Sequence, residues 1–242
     1  MRALAALALL ATALAGCQST QEKSARLEKA AKLHERSTGL SARGLSIARP
    51  SSVVKVLATA VVHSREGIAA AVTLRNTSAQ PLRNVPIEIH VRDAHGASIY
   101  ANDIPGLGAP LTSIASIPPH GELTWVDDQI QAAGIPASVE ALVGEAAKAS
   151  GRAAPLTITA AHVVEDPTNG PGAAGSLRNG SAVTQRQVVV YAVARRAAKI
   201  VGAGRAVLPE VPAQGSVPFQ LYFIGEAKGA QLELSAPATT PG

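Results

Sequence analysis

Apolar and polar side chains alternate one for one along residues 85–92. Val85, Ile87, Ile89 and Val91 fall on one face, and Glu88, His90 and Arg92 on the other. A period of two marks a strand buried on one side. Asp93-Ala94-His95-Gly96 supplies a turn after it, and Ser98-Ile99-Tyr100 begins a return strand. Valine-rich stretches predict strands over 52–64 and 67–75, and another runs from Gly121 to Val126. Residues 137–149 break the rhythm. Val139, Leu142, Val143 and Ala146 stand at i, i+3, i+4 and i+7, which predicts one short amphipathic helix. Residues 18–50 are charged and open on a capping box, Ser19-Thr20-Gln21-Glu22. Glu22/Arg26 and Glu28/Lys32 are spaced for helical ion pairs. With only Leu27, Leu33 and several Ala to bury, this segment reads as a solvated spacer with partial helix. A helix lying on anionic lipid is the alternative.

The second half of the chain repeats the first. Leu74-Arg75-Asn76-Thr77-Ser78 recurs as Leu177-Arg178-Asn179-Gly180-Ser181, a shift of 103. Pro118-Pro119-His120-Gly121, four residues before Trp125, recurs as Pro212-Ala213-Gln214-Gly215, four before Phe219, a shift of 94. The nine extra residues of the first copy fit the stretch from Gly106 to Ile114. In each copy the Asn-x-Ser element suits a turn, because short polar side chains bond local backbone and tolerate left-handed geometry. Asn76, Ser78, Asn179 and Ser181 also match glycosylation sequons, and we read them as turns. Gly121 and Gly215 relieve the preceding Pro, and Trp125 and Phe219 are expected to plug the two cores. The long helices of a parallel or helical fold are missing. The fold class is therefore mainly β, two tandem β-sandwiches over residues 51–150 and 151–242, with the short helix at 137–149.

Composition narrows the function. The chain of 242 residues has six aromatics, so the cores rest on Val, Ile, Leu and Ala. A stacking platform for nucleic-acid bases is excluded. Residues 17–50 carry seven basic and three acidic side chains, residues 51–150 six and nine, and residues 151–242 eight and five. The basic balance thus sits largely in the spacer, beside an anionic membrane on this reading, and no nucleic-acid partner is implied. A single Cys rules out an intramolecular disulfide and a cysteine-built zinc site.

That Cys ends the N-terminal leader. Arg2 precedes an uncharged apolar run, residues 3–15, too short for a membrane span and suited to an export signal. Leu14-Ala15-Gly16-Cys17 resembles the lipobox of bacterial lipoproteins. The resemblance implies cleavage after residue 16, a diacylglyceryl group on Cys17 and stable membrane anchoring by its acyl chains. An ordinary secretory signal cut after Ala13 or Ala15 is the alternative. The leader is then 1–16 and the anchored tether 17–50. Gln18 in place of Asp permits an outer-membrane address. The implied location is extracytoplasmic, at the bacterial cell membrane or outer membrane.

The repeated body resembles the FxLYD-type domains, small extracytoplasmic immunoglobulin-like sandwiches. The resemblance rests on Asn76-Thr77-Ser78, Ile89-His90-Val91-Arg92-Asp93, Gly96, Ile99 and the Pro-x-x-Gly elements. Ile89 and Arg92 replace the family's Phe and Tyr, and Arg195-Arg196-Ala197-Ala198-Lys199 replaces the Asp-Gly turn in the second copy. The resemblance implies immunoglobulin-like sandwiches and display or binding, with no catalytic residues to carry over.

Among candidate chemistries, His90, Asp93 and His95 form the densest polar cluster, a metal site or an exposed His beside an Asp turn. Asp127 and Asp128 with Asp103 could touch a cation or form a solvated strand end. Gly202-Ala203-Gly204 sits in a return strand, where small residues permit close sheet packing. Arg195 and Arg196, with Arg178, Arg186, Lys199 and Arg205, suggest a basic rim for an anionic polymer or the acidic first copy, or a solvated edge. No nucleophile elbow appears. The sequence thus points to a non-enzymatic lipoprotein, without cofactor or metal, that presents two sandwiches to an envelope protein or anionic polymer. A structural or assembly subunit of an envelope complex is the alternative, and an envelope enzyme acting on wall polymers a third.

Overall fold

In the computed structural model the described residues are 44–148 and 154–239. The leader, Cys17 and the spacer as far as residue 43 lie outside them. The unit containing the described residues is mainly β and sandwich-like. In the first half, β1 (Val54–Ser64), β2 (Gly67–Asn76) and β6 (Glu122–Asp127) form one antiparallel sheet in the order β1-β2-β6. The other sheet is centred on β3 (Leu82–Arg92). β4 (Ser98–Ala101) and β5 (Ser113–Ile117) pair with β3 along one edge, and β7 (Ser138–Val143) and β8 (Ala147–Lys148) along the other. A one-turn helix, α1 (Ala109–Thr112), interrupts the path from β4 to β5. Val85, Ile87, Ile89 and Val91 are all fully buried, as the period of two requires.

The second half repeats this arrangement. β9 (Leu156–Asp166), β10 (Gly170–Asn179) and β13 (Ser216–Tyr222) pair in the order β13-β10-β9. β11 (Gln185–Arg196) and β12 (Lys199–Val211) lie in the sheet β14-β12-β11-β15, with β14 (Ile224–Gly225) and β15 (Gln231–Ser235) at its edges. The unbroken β12 takes the place of β4, α1 and β5. Trp125 pairs with Val72 and Phe219 with Gly175, so the two rings occupy equivalent rungs. Kinked left-handed residues recur as well: Asn84 and Gln187 in the central strands, and His120 and Gln214 in the turns.

The two central strands differ in one respect that organises the whole unit. β3 is apolar on one face only. β11 reads Val188-Val189-Val190-Tyr191-Ala192-Val193-Ala194, with no polar residue. Val188, Val190, Ala192 and Ala194 pack in the core of the second half, while Val189, Tyr191 and Val193 belong to the core of the first. A continuous apolar run is what burial on both faces demands. Ala203 of β12 and Ile224 of β14 join the same first-half core. The outer side of the β14-β12-β11-β15 sheet therefore seats on the β1-β2-β6 sheet, where Ala69 and Ala71 of β2, on the same face as Thr73, are fully buried.

The helix expected at 137–149 is a correction: Ser138–Val143 is strand β7 and Ala147–Lys148 is strand β8. Val139 and Val143 are buried on β3 while Leu142 is 37% exposed. In this Ala- and Val-rich stretch both periods can be drawn, and the open edge of β3, which needs a partner for its backbone, selects the strand. Residues 44–50, the end of the segment expected to act as a spacer, lie along the same region. Pro50 bridges Gly144, and Glu145 N donates to Arg49 O at 3.2 Å.

Candidate functional site

The repeated Asn and Ser residues form two buried knots. Asn76 Nδ2 donates to the carbonyls of Gln80, Ile117 and Pro118 at 2.8, 3.4 and 3.0 Å. Its Oδ1 accepts from Ser78 N and Ser78 Oγ at 2.9 and 2.8 Å. Asn179 Nδ2 donates to Val183, Val211 and Pro212 at 2.9, 3.2 and 3.1 Å, and its Oδ1 accepts from Ser181 N and Oγ at 3.0 and 2.8 Å. The Pro-x-x-Gly turns close the knots: Asn76 N donates to Gly121 O, and Asn179 N to Gly215 O. Both Asn residues are fully buried, so neither carboxamide is available to a glycosylating enzyme in the folded state. Trp125 is fully buried and Phe219 nearly so. Trp125 also donates Nε1–H to Pro110 O at 3.1 Å, pinning α1. Phe219, whose half has no such insertion, needs no polar handle.

The paired aspartates after Trp125 are not a solvated strand end. Alternation along β6 sends them to opposite faces. Asp127 is fully buried and accepts from Tyr100 Oη at 2.8 Å and Gln129 N at 2.9 Å. Loss of water pushes its carboxyl pKa up, against the lowering effect of those bonds. Desolvation, then the charge of Asp127, raises Tyr100 as well. Asp128 faces the second half. Its oxygens accept from Arg205 Nε at 2.8 Å and Arg205 N at 3.0 Å, and the guanidinium side chain is only 6% exposed. Nearby, Thr73 Oγ1 and Thr124 Oγ1 are 3.0 Å apart, Thr124 donates to Glu233, and Arg195 reaches both Glu233 and Thr73.

The supposed basic rim is thus largely spent on structure. Arg205 and Arg195 knit the halves together, Arg196 donates to Lys228 O, and Arg186 pairs with Glu210. His90, Asp93 and His95 do not converge. His90 Nε2 lies 3.0 Å from Glu88 Oε1, while Asp93 Oδ1 caps its own turn by accepting from His95 N and Ala97 N. Among the described residues no three His, Cys, Asp or Glu stand where they could hold a metal ion. Gly202 and Gly204 do permit close sheet packing: a Cβ on Gly204 would run into the Tyr222 carbonyl.

Sequence reasoning missed Asn102. It is fully buried, donates to Ile87 O and Leu111 O at 3.0 and 2.7 Å, and accepts from Ile89 N at 2.7 Å. It fills the gap in the ladder where β4 stops. The groove beside it was missed too. A cleft of about 600 Å³ lies between the β1–β2 turn, the loop after β6, the insertion and β14. Ile68, Ile130 and Ile224 lie along it as buried residues, and Ile104 and Leu107, between β4 and α1, contribute further apolar lining.

No family model matches the chain, and no curated protein does. Two solved structures of an exo-chitosanase from Amycolatopsis orientalis, one of them a complex with PNP-β-D-glucosamine, are similar to 76% of it, at 13% and 12% identity, each with a TM-score of 0.29. The chain spans 26% of those enzymes' length. A likeness of that size carries no argument about fold or activity.

Proposed function

We propose that the chain is a lipid-anchored, extracytoplasmic binding protein of the bacterial envelope, without catalytic activity. The observation that carries this reading is the Leu14-Ala15-Gly16-Cys17 lipobox placed ahead of a β body whose two halves share buried side chains. Such a body holds its surfaces in one fixed relation to each other. The paired Asn–Ser knots, each closed by a Pro-x-x-Gly turn, support membership of the FxLYD-type immunoglobulin-like domains. The spacer, which is net basic, keeps the body near an anionic bilayer. Metabolic labelling with an alkynyl fatty acid tests the anchor. The full chain is expected to take up label, and Cys17→Ala to abolish it. An unlabelled wild type, or label that survives Cys17→Ala, refutes the lipoprotein reading.

A second reading, a structural subunit of an envelope complex, is favoured by β9. This eleven-residue strand is an edge of its sheet and exposes Val163 at 36%. An added strand from a partner could pair there. Gentle crosslinking followed by purification is then expected to retain one partner in fixed stoichiometry, and a body that purifies alone counts against it.

A further inference from the structure

The cleft at one end of the junction is built by what the two copies do not share. Ile104 and Leu107, part of its lining, lie in the connection between β4 and α1, which has no counterpart in the unbroken β12 of the second copy. In the second half β12 runs on where that connection would be, and no equivalent wall stands there among the described residues. The wall is fixed from behind. Asn102 holds Leu111 O and Trp125 holds Pro110 O. Ile104 is nonetheless 51% exposed, an aliphatic side chain held in water beside three buried isoleucines. The volume falls within the about 300–1,000 Å³ typical of sites for small ligands.

The polar groups around the cleft indicate what it takes. Its charged lining is acidic at both positions, Glu66 and Asp128. Asp128 is matched by the buried Arg205 and Glu66 by Arg65 at 2.6 Å, but only Arg65 is exposed and free to swing away and leave its carboxylate to an incoming charge. Glu66 stays ionised down to about 2, held there by the Ser64 hydroxyl and by Arg65. The Arg65 side chain is 89% exposed, so water screens that pair. Gln129 and Gln131 place exposed carboxamides along the same cleft. A bare hydrocarbon has no use for amide donors and acceptors, whereas a peptide backbone does.

We infer that this cleft binds a short peptide segment of a partner protein, one that carries aliphatic and basic side chains together. The aliphatic groups sit against Ile104 and Ile130, the basic group lies over Glu66, and the two Gln residues meet the backbone. This deepens the binding reading above but does not depend on the anchor. The full chain carrying Cys17→Ala is expected to bind as the wild type does, so a failed anchor and a failed cleft are separable.

Fluorescence anisotropy of the full chain in neutral-detergent micelles tests it with three labelled peptides, of alternating Leu and Lys, Leu and Glu, and Ser and Lys. The Leu/Lys peptide is expected to saturate, and the other two to bind at least about tenfold more weakly, the equivalent of about 1.4 kcal/mol. Ile104→Asp, a change at an exposed position that leaves the core intact, is expected to weaken Leu/Lys binding by a similar factor. Glu66→Gln narrows the preference for Leu/Lys over Leu/Glu. Three peptides that bind alike, absence of saturation, or Leu/Lys binding that is indifferent to Ile104→Asp overturns the proposal.

Discussion

Asn76 and Asn179, 103 residues apart in sequence, make the same five side-chain hydrogen bonds in the two halves. Each carboxamide ties the end of one strand to the turn that opens a strand of the same sheet. Removing it strands buried carbonyls and a serine at once.

Asn76→Ala and Asn179→Ala are therefore expected to cost about 2–4 kcal/mol each, by the cost of leaving buried polar groups unpaired. The two values should agree within about 1 kcal/mol, since the partners match. Asn→Asp at either site keeps the acceptor, loses every donor and adds a charge, so it is expected to be no milder. Urea denaturation of the four variants measures this.

The Asp128–Arg205 pair predicts a second contrast. Arg205→Ala leaves a carboxylate with 18% side-chain exposure and no counter-charge, and is expected to cost about 3 kcal/mol. Arg186→Ala removes the well-exposed Glu210 pair and is expected to cost about 0–1 kcal/mol. Thermal unfolding of both variants checks the difference. The single tryptophan lies in the first half, so its fluorescence transition should coincide with the far-ultraviolet transition of the whole chain.

Asp127 makes stability depend on pH in a stated direction. Its folded pKa is raised above the unfolded value of 3.8, so the folded state holds the proton more tightly. Its contribution is present below that value and is lost as the pH rises through the folded pKa. Urea midpoints compared between wild type and Asp127→Asn across that acid range should isolate the effect: the variant lacks the decline. Equal slopes would refute the assignment.

Gly204 faces the Tyr222 backbone with no room for a methyl group. Gly204→Ala is expected to cost about 1–3 kcal/mol or more, the penalty of overpacking against atoms that cannot swing aside. Gly96, with a φ of +84 and nothing within 4 Å of an added Cβ, should lose only about 1 kcal/mol on the same change. Circular dichroism melting curves compare the two.

The strands and the repeat were legible because each is a local pattern. Alternation at 85–92 depends only on which face meets the core, and the Asn-x-Ser and Pro-x-x-Gly elements act on backbone within a few residues. The helix expected at 137–149 failed because apolar spacing alone does not say whether an open strand edge lies nearby. The junction left one signal that was there to be read: the unbroken apolar run Val188–Ala194, set against the alternating strand of the first copy. The partners themselves were not legible. Asp128 and Arg205 are 77 residues apart, and nothing local marks either as half of a buried pair. Asn102 likewise shows its purpose only once β4 is seen to end early.

The halves meet head to tail: the outer face of one sheet type seats on the outer face of the other. A heterologous contact has no built-in end: repeated, it closes into a ring or runs on as a filament. On β3, the strand equivalent to β11, the positions that would face a further copy hold Glu88, His90 and Arg92, with Glu140 paired to Arg92. Those polar side chains deny β3 the apolar outer face that β11 presents through Val189, Tyr191 and Val193. The alternation that first marked residues 85–92 as a strand is also what makes the junction between the halves one-sided.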